Sequence, residues 1–565
     1  MNGKNEKIGN PNPEELRIGV FICDCGSNIA GYLDCKAVTE YASTLPGVVY
    51  TKENLYTCSE AGISEIRNGI VEHKLNRVVV ASCSPRTHQP LFKSACAQAG
   101  LNPYLFEMVN IRDQCSWVHM QEREDATQKA MDLVRMGVAK AAFLEPQVDI
   151  ESSLVRRALV IGGGLAGLSA AEALADMGME VMVVEKEPQL GGLLRRINLL
   201  APQKQKASEL VEEVIQRVTS KPNLKIYLSS QVTAVEGVIG MYEATVRDEK
   251  GSEVVETVGC IVVATGAQPL KPVGLYGYNG QNVITQIELE EKLSKGPLDA
   301  KRIVMIQCVG ARSPERPYCS RICCLTAVKN ALYIKEQNPD AYVHILYRDM
   351  QMYGSDNERM FWESRGKGVH YDVYDVTRPP VVKDGVVEVY QPLMGEVEKI
   401  PFDLLVLSTP LVANEDVPAI SQLMRIPIDQ NHFFLEAHAK LRPLDFATDG
   451  IFLCGTARYP ATVPEARAQG LGAASRAGTV LFKDKLITSP LVAEINADTC
   501  VGCKGCLEVC PYGAIQFVAE KGVCRVNTIL CKGCGNCAST CPSQSVTLKG
   551  FTPRQLLSQI RVMVC

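Results

Sequence analysis

Residues 157–186 read RALVIGGGLAGLSAAEALADMGMEVMVVEK, and this stretch decides the fold. An apolar run gives way to a glycine loop, an alanine-rich segment of helical period and a second apolar run, which is the order strand, loop, helix, strand. Gly162, Gly164 and Gly167 occupy the GxGxxG positions, with Gly163 and Ala166 between them. Glycines there permit a tight turn, close approach of backbone to a pyrophosphate and close packing of helix on strand, while the helix N-terminus faces the anion. Glu185 ends the second strand, before Lys186, where it can accept hydrogen bonds from a ribose. A dinucleotide site in an α/β domain is expected.

Three later segments refine the cofactor. Residues 189–194 (QLGGLL) place Gly192 and Leu193 in a turn after the second strand, residues 260–266 (CIVVATG) form a strand ending in Ala264, Thr265 and Gly266, and residues 450–457 (GIFLCGTA) end in a turn with Gly455 and Ala457. The set resembles the two-dinucleotide-binding flavoproteins of thioredoxin-reductase type, which implies FAD. In that family the last segment covers the isoalloxazine end, and the following helix, here 464–478, points its N-terminus at the flavin.

Such flavoproteins carry a second nucleotide fold for NAD(P)H. Residues 302–307 (RIVMIQ) and 342–347 (YVHILY) read as its strands and 325–335 as its helix, but the intervening loop is CVGARSPERPYCSRICC, residues 308–324. It lacks the glycine spacing for a pyrophosphate and holds Cys308, Cys319, Cys323 and Cys324. The expectation is a third iron-sulfur cluster in place of the nicotinamide site; buried structural thiols, or a redox disulfide between Cys323 and Cys324, are the alternatives. Lys329, a turn or two into the helix, reads either as a cation for a reduced flavin or as a solvated helix lysine.

At the other end of the chain, Cys500, Cys503, Cys506 and Cys510 form CxxCxxCxxxCP, and Cys531, Cys534, Cys537 and Cys541 repeat it 31 residues on. In this pattern three thiolates come from one loop and the fourth crosses to the other cluster. The expected ligand sets of two [4Fe-4S] clusters are Cys500, Cys503, Cys506 with Cys541, and Cys531, Cys534, Cys537 with Cys510. Zinc knuckles would also use CxxC pairs, but two complete runs with a trailing proline favour iron-sulfur. Cys524 fits neither run and reads as a core residue.

Residues 17–145 alternate strand and helix, as an open α/β sheet does. Cysteines fall at strand ends (Cys23, Cys25, Cys83) and at a loop-to-helix junction (Cys58), as ligands or as a docking face. The chain has 565 residues, roughly four domains' worth. Its 23 cysteines, with a polar start (MNGKNEKIGNPNPEEL) and no membrane-length apolar run, point to metal or redox chemistry in a soluble cytoplasmic protein. A net charge of -4 argues against nucleic acid and leaves proteins as partners. There is no HExxH or GxSxG motif, and seven scattered histidines, His73 and His119 among them, form no acid-base set.

With FICDCGSNIAGYLD, VVVASCSPRTHQPLF, the glycine stretch, the central cysteine segment and the double cysteine run together, the chain resembles the A subunit of heterodisulfide reductase along almost its whole length. The expected architecture is α/β. An N-terminal open α/β domain spans 1–150, a two-part FAD domain 151–300 and 411–487, a second nucleotide-type fold 301–410, and a 2[4Fe-4S] ferredoxin-like domain 488–565. The resemblance implies an iron-sulfur flavoprotein oxidoreductase subunit of anaerobic metabolism that bifurcates electrons. A two-electron donor reduces the flavin, which sends one electron to a high-potential acceptor and one to ferredoxin. It further implies that Cys308, Cys319, Cys323 and Cys324 ligate a cluster and that Lys329 sits by the flavin. Implied partners are B- and C-type subunits, ferredoxin and an electron-input subunit such as a hydrogenase or formate dehydrogenase, in a hetero-oligomer or a dimer of such complexes. Many members also carry a ferredoxin insert in the flavin domain, whereas residues 200–260 of this chain contain no cysteine before Cys260. Two alternatives stand beside this reading: a non-bifurcating electron-transfer subunit of a quinone-interacting or aromatic-ring-reducing complex, and an NAD(P)H oxidoreductase like the glutamate synthase small subunit.

Overall fold

The computed structural model describes residues 16–564; the polar stretch 1–15 lies outside the described residues. The described residues form two compact units, 152–486 and the joined stretches 16–151 with 487–564.

The glycine stretch folds as its pattern predicts. Strands Arg157–Ile161 and Glu180–Val184 flank helix Leu165–Asp176 and pair in parallel at the centre of a five-stranded sheet with Leu224–Tyr227, Cys260–Val263 and Ile451–Leu453. Its strands are apolar on both faces because both faces are covered. Ala158, Val160, Val181 and Val183 pack against helices Leu165–Asp176 and Val463–Leu481. Leu159, Ile161, Met182 and Val184 pack against an antiparallel strand bearing Tyr242, Ala244 and Val246. The two helices touch closely because their facing residues are small: a Cβ on Gly470 would stand 2.3 Å from the Ala166 carbonyl oxygen. A second parallel sheet orders Val283–Thr285, Leu404–Leu407, Arg302–Ile306, Tyr342–Tyr347 and Val369–Val373, with helix Cys323–Gln337 packed on one face. Residues 230–258, in the stretch that contains no cysteine before Cys260, form a three-stranded antiparallel sheet.

In the other unit, Ile18–Cys23 and Arg77–Ser82 lie centrally in a four-stranded parallel sheet with Val48–Asn54 and Phe106–Asn110. The cysteine runs follow on short helices, Gly505–Glu508 and Asn536–Thr540, beside two antiparallel strand pairs. A closing helix, Pro553–Val564, lies along Arg123–Ala141, with Gln555 donating to the Phe143 carbonyl at 2.9 Å and Ser558 to that of Ala139 at 3.2 Å. The sequence treats the two ends as separate domains; here they share one unit. Among the described residues no helix is long and apolar enough to cross a membrane.

Candidate functional site

A cavity of about 930 Å³ opens at the carboxyl ends of the first sheet, at the upper end of the size of small-molecule sites. Gly162, Gly164, Ala166, Glu185, Lys186, Gly192, Leu193, Ala264, Thr265 and Gly266 line it. Gly162 has φ +109°, and a Cβ there would meet the Ala264 carbonyl oxygen at 2.3 Å, whereas a Cβ on Gly164 would meet nothing within 4 Å. The backbone is therefore bare toward the cavity at the end of helix Leu165–Asp176, whose first N–H groups have no side-chain cap. Glu185 is buried and held by the Gly163 N–H at 2.5 Å and the Glu187 N–H at 2.9 Å. Lys186 pairs with Asp416 at 2.9 Å. The Thr265 hydroxyl is buried without a hydrogen-bond partner among the described residues, as a group awaiting a polar ligand would be. Bare cradle, carboxylate and orphaned hydroxyl together fit FAD.

Four residues expected on the cofactor stand behind the wall. Gly163 faces Leu190 and the Glu185 side chain. Gly167 faces the Gly162 carbonyl, which a Cβ would meet at 2.0 Å, and Gly455 faces the Ala166 Cβ at 2.6 Å. Ala457 is buried in the core. Close packing accounts for their lack of bulk, and Thr456 with Thr462, Val463 and Pro464 lines the cavity in that segment. The helix there begins at Val463, one residue before the sequence places it, in a capping box formed by Thr462 and Glu465.

Lys329 is not solvated. It is 3% exposed, lines the cavity, and donates to the Leu199 carbonyl at 2.8 Å and to the Glu290 carboxylate. Burial lowers its pKa, and Glu290 opposes that shift. Beside the pair, Asn330 donates to Gln286, whose amide reaches Ser408 at 3.1 Å. Glu290 escapes a sequence reading because QIELEEKL looks like a surface helix; its burial is set by the contact with helix Cys323–Gln337.

The loop brings its four cysteines together. Cys323 and Cys324 open helix Cys323–Gln337, Cys308 and Cys319 lie close enough to act electrostatically on both, and Cys323 also lines the flavin cavity. Both Cys323 and Cys324 are free thiols, not a disulfide. Burial raises the Cys324 pKa to about 12 and that of Cys308 upward, with Arg312 pulling against the latter. Arg321 braces the loop: it pairs with Glu465 at 2.5 Å between the rings of Tyr353 and Tyr459, and its amide donates to Cys319 Sγ at 3.4 Å.

In the other unit, one small cavity is lined by Cys500, Cys503, Cys506 and Cys541, and a second by Cys531, Cys534, Cys537 and Cys510. In each cavity the fourth cysteine comes from the other run. Cys524 is buried, as expected of a core residue, and also borders the first cavity, where it raises Cys506 to about 12 after burial itself. Among the described residues no three His, Cys, Asp or Glu side chains are grouped for a single ion. A cubane takes each thiolate on a different iron, so its ligands ring a wider space, and the donor sets fit such clusters.

The sheet ends of the same unit gather Cys23, Cys25, Cys58 and Cys83. Cys23 and Cys58 act on Cys25 and on Cys83, and Arg112 stands by both. Cys115 is apart, donating to the Ala126 carbonyl, and Cys35 is buried in the core.

A flavin cradle joined to cubane-type thiol sets defines an FAD- and [4Fe-4S]-containing oxidoreductase. Residues 156–310 match the family described as pyridine nucleotide-disulphide oxidoreductase, and 494–552 the 4Fe-4S dicluster domain. The chain is 37% identical over 605 positions to the second iron-sulfur A subunit of the CoB–CoM heterodisulfide reductase of Methanopyrus kandleri, covering 90% of this chain and 92% of that one. It is 35% identical to the A subunit of the H(2):CoB-CoM heterodisulfide,ferredoxin reductase of Methanothermobacter marburgensis, covering 89% and 91%. It is 34% identical to the A subunit of the ferredoxin/F(420)H(2)-dependent CoB-CoM heterodisulfide reductase of Methanosarcina acetivorans, covering 90% and 76%. The chain belongs to the family of heterodisulfide reductase A subunits.

Proposed function

We propose that this flavin and iron-sulfur subunit bifurcates electrons. A two-electron donor reduces the flavin, one electron leaves to a higher-potential disulfide acceptor on partner subunits, and one goes to ferredoxin. The observation that carries the reading is Cys323, which belongs both to the loop thiol set and to the flavin cavity wall. A cluster on Cys308, Cys319, Cys323 and Cys324 would be a one-electron acceptor at the flavin, where flavoproteins of thioredoxin-reductase type admit a two-electron nicotinamide. FAD supplies the change from two-electron to one-electron transfer. This chain's own residues do the rest: the glycine cradle holds the pyrophosphate, Glu185 the ribose, and Lys329 with Glu290 presents a cation and a carboxylate to the reacting end. Cys23, Cys25, Cys58 and Cys83 form a further thiol set at the sheet ends of the other unit, as ligands or as a docking face. The ferredoxin and heterodisulfide named for the M. marburgensis relative support the choice of acceptors. B- and C-type subunits and a hydrogenase- or formate-dehydrogenase-type input subunit are the partners proposed, in the cytoplasm.

The test is anaerobic co-purification, then ferredoxin reduction with and without the disulfide acceptor. Bifurcation requires that ferredoxin be reduced only while the disulfide is reduced too. If NADH or NADPH alone bleaches the flavin of the isolated chain, the reading fails. The lack of cysteines between residues 200 and 259, where an inserted ferredoxin would need them, favours one second reading, a non-bifurcating electron-transfer subunit. Ferredoxin reduction that ignores the disulfide would select it.

A further inference from the structure

Within that reading, and resting on the loop cluster it invokes, we propose that Arg312 and Arg348 are positioning residues that hold the loop cluster at a raised reduction potential, so that an electron leaving the cavity through Cys323 goes downhill. Neither residue figures in the thiol set or the flavin cradle. Arg312 follows Cys308 by four residues in the loop, and its charge acts on both Cys308 and Cys324. Arg348 acts on Cys308 as well, its Nη1 pinned to the Arg312 carbonyl at 3.0 Å and its buried Nε without a partner among the described residues. Beside it the Gln307 amide, fully buried and next to Cys308, also lacks a partner among the described residues.

Cluster reduction adds one electron, hence one negative charge, on a group already made anionic by four thiolates. Fixed positive charge and N–H donors to sulfur favour the reduced form. The sign of the local field follows from the groups present. Asp349 cancels one guanidinium, by its 2.7 Å pair with Arg312, and Arg348 has no carboxylate partner within ion-pair distance among the described residues. One positive charge is left in excess. The Arg321 amide on Cys319 and the Gln351 amide on Cys324 act in the same direction. In the electron step the flavin loses one electron, the cluster gains it, and no bond is made or broken.

The test is an EPR-monitored redox titration of the anaerobically purified full chain. Arg348→Gln should lower the midpoint of the loop-cluster signal, Arg348→Lys should leave it near wild type, and the C-terminal cluster signals should stay put in both. Arg312→Gln probes the other guanidinium and should shift in the same direction. Iron and flavin contents equal to wild type with an unmoved midpoint in either glutamine variant overturn the proposal. A separate control guards the underlying reading. Cys319→Ser should lose the loop signal and about four irons. If it keeps both, the loop holds no cluster and the tuning idea falls with it, a result distinct from an unmoved midpoint.

Discussion

Lys329 and Glu290 are buried together and paired with each other. Lys329→Met leaves Glu290 buried without its cation, which should cost about 3–5 kcal/mol. Adding Glu290→Gln to Lys329→Met should recover part of that loss, since the orphaned charge is gone. Denaturant unfolding of the single and double variants measures the coupling; additive losses would mean that the pair is not joined in solution. A second residue sets a pH response. Burial holds His344 below its ordinary value, against the opposing pull of Asp372 at 2.7 Å. Between the ordinary value near 6.5 and the lower folded one, the unfolded chain binds the proton and the folded chain does not. The contribution is therefore whole above pH 6.5 and is lost as pH falls below it. His344→Gln should flatten this acid limb relative to wild type in urea midpoints from pH 8 to 5, and identical limbs would count against it.

At the scale of elements, the glycine loop separates packing from binding. Gly167→Ala drives a methyl into the Gly162 carbonyl at 2.0 Å and should cost about 1–3 kcal/mol along with FAD. Gly164→Ala meets nothing and should leave unfolding unchanged while weakening FAD retention, because its methyl enters the cradle. Equal effects on stability would contradict the division of roles. The loop and its strands are legible in the sequence because their chemistry is local: a turn, a helix start and a carboxylate at fixed offsets. For the same reason the two cysteine runs can be paired across clusters from spacing alone. Groups that meet through tertiary contact are not legible. Glu290 reaches Lys329 from another helix, and Cys23, Cys25, Cys58 and Cys83 come from three segments of chain with no common spacing. Nor does the pattern tell glycines that face the cofactor from Gly163, Gly167 and Gly455, which pack behind it, since both uses demand the absence of a side chain.

Across the whole molecule, each unit closes its own apolar cores. The sheet of residues 18–110 and the C-terminal cysteine module serve one, and the two larger parallel sheets serve the other. Chains of this kind do not melt in one step, so two heat transitions are expected, one releasing iron from the C-terminal runs and one releasing flavin. The closing helix Pro553–Val564 belongs to the first unit alone. Its bonds from Gln555 and Ser558 are worth about 0.5–1.5 kcal/mol each, and Lys140 lies over the Phe551 ring at 4.4 Å just before it. Removing residues 553–565 strips both bonds and bares the face of Arg123–Ala141 that they cover. The transition that releases the C-terminal iron should fall by several degrees, while release of the flavin, and of the loop's iron with it, stays where it was. Calorimetry with flavin fluorescence and iron release on the same sample reads both, and a common shift of the two would show that the units do not unfold separately.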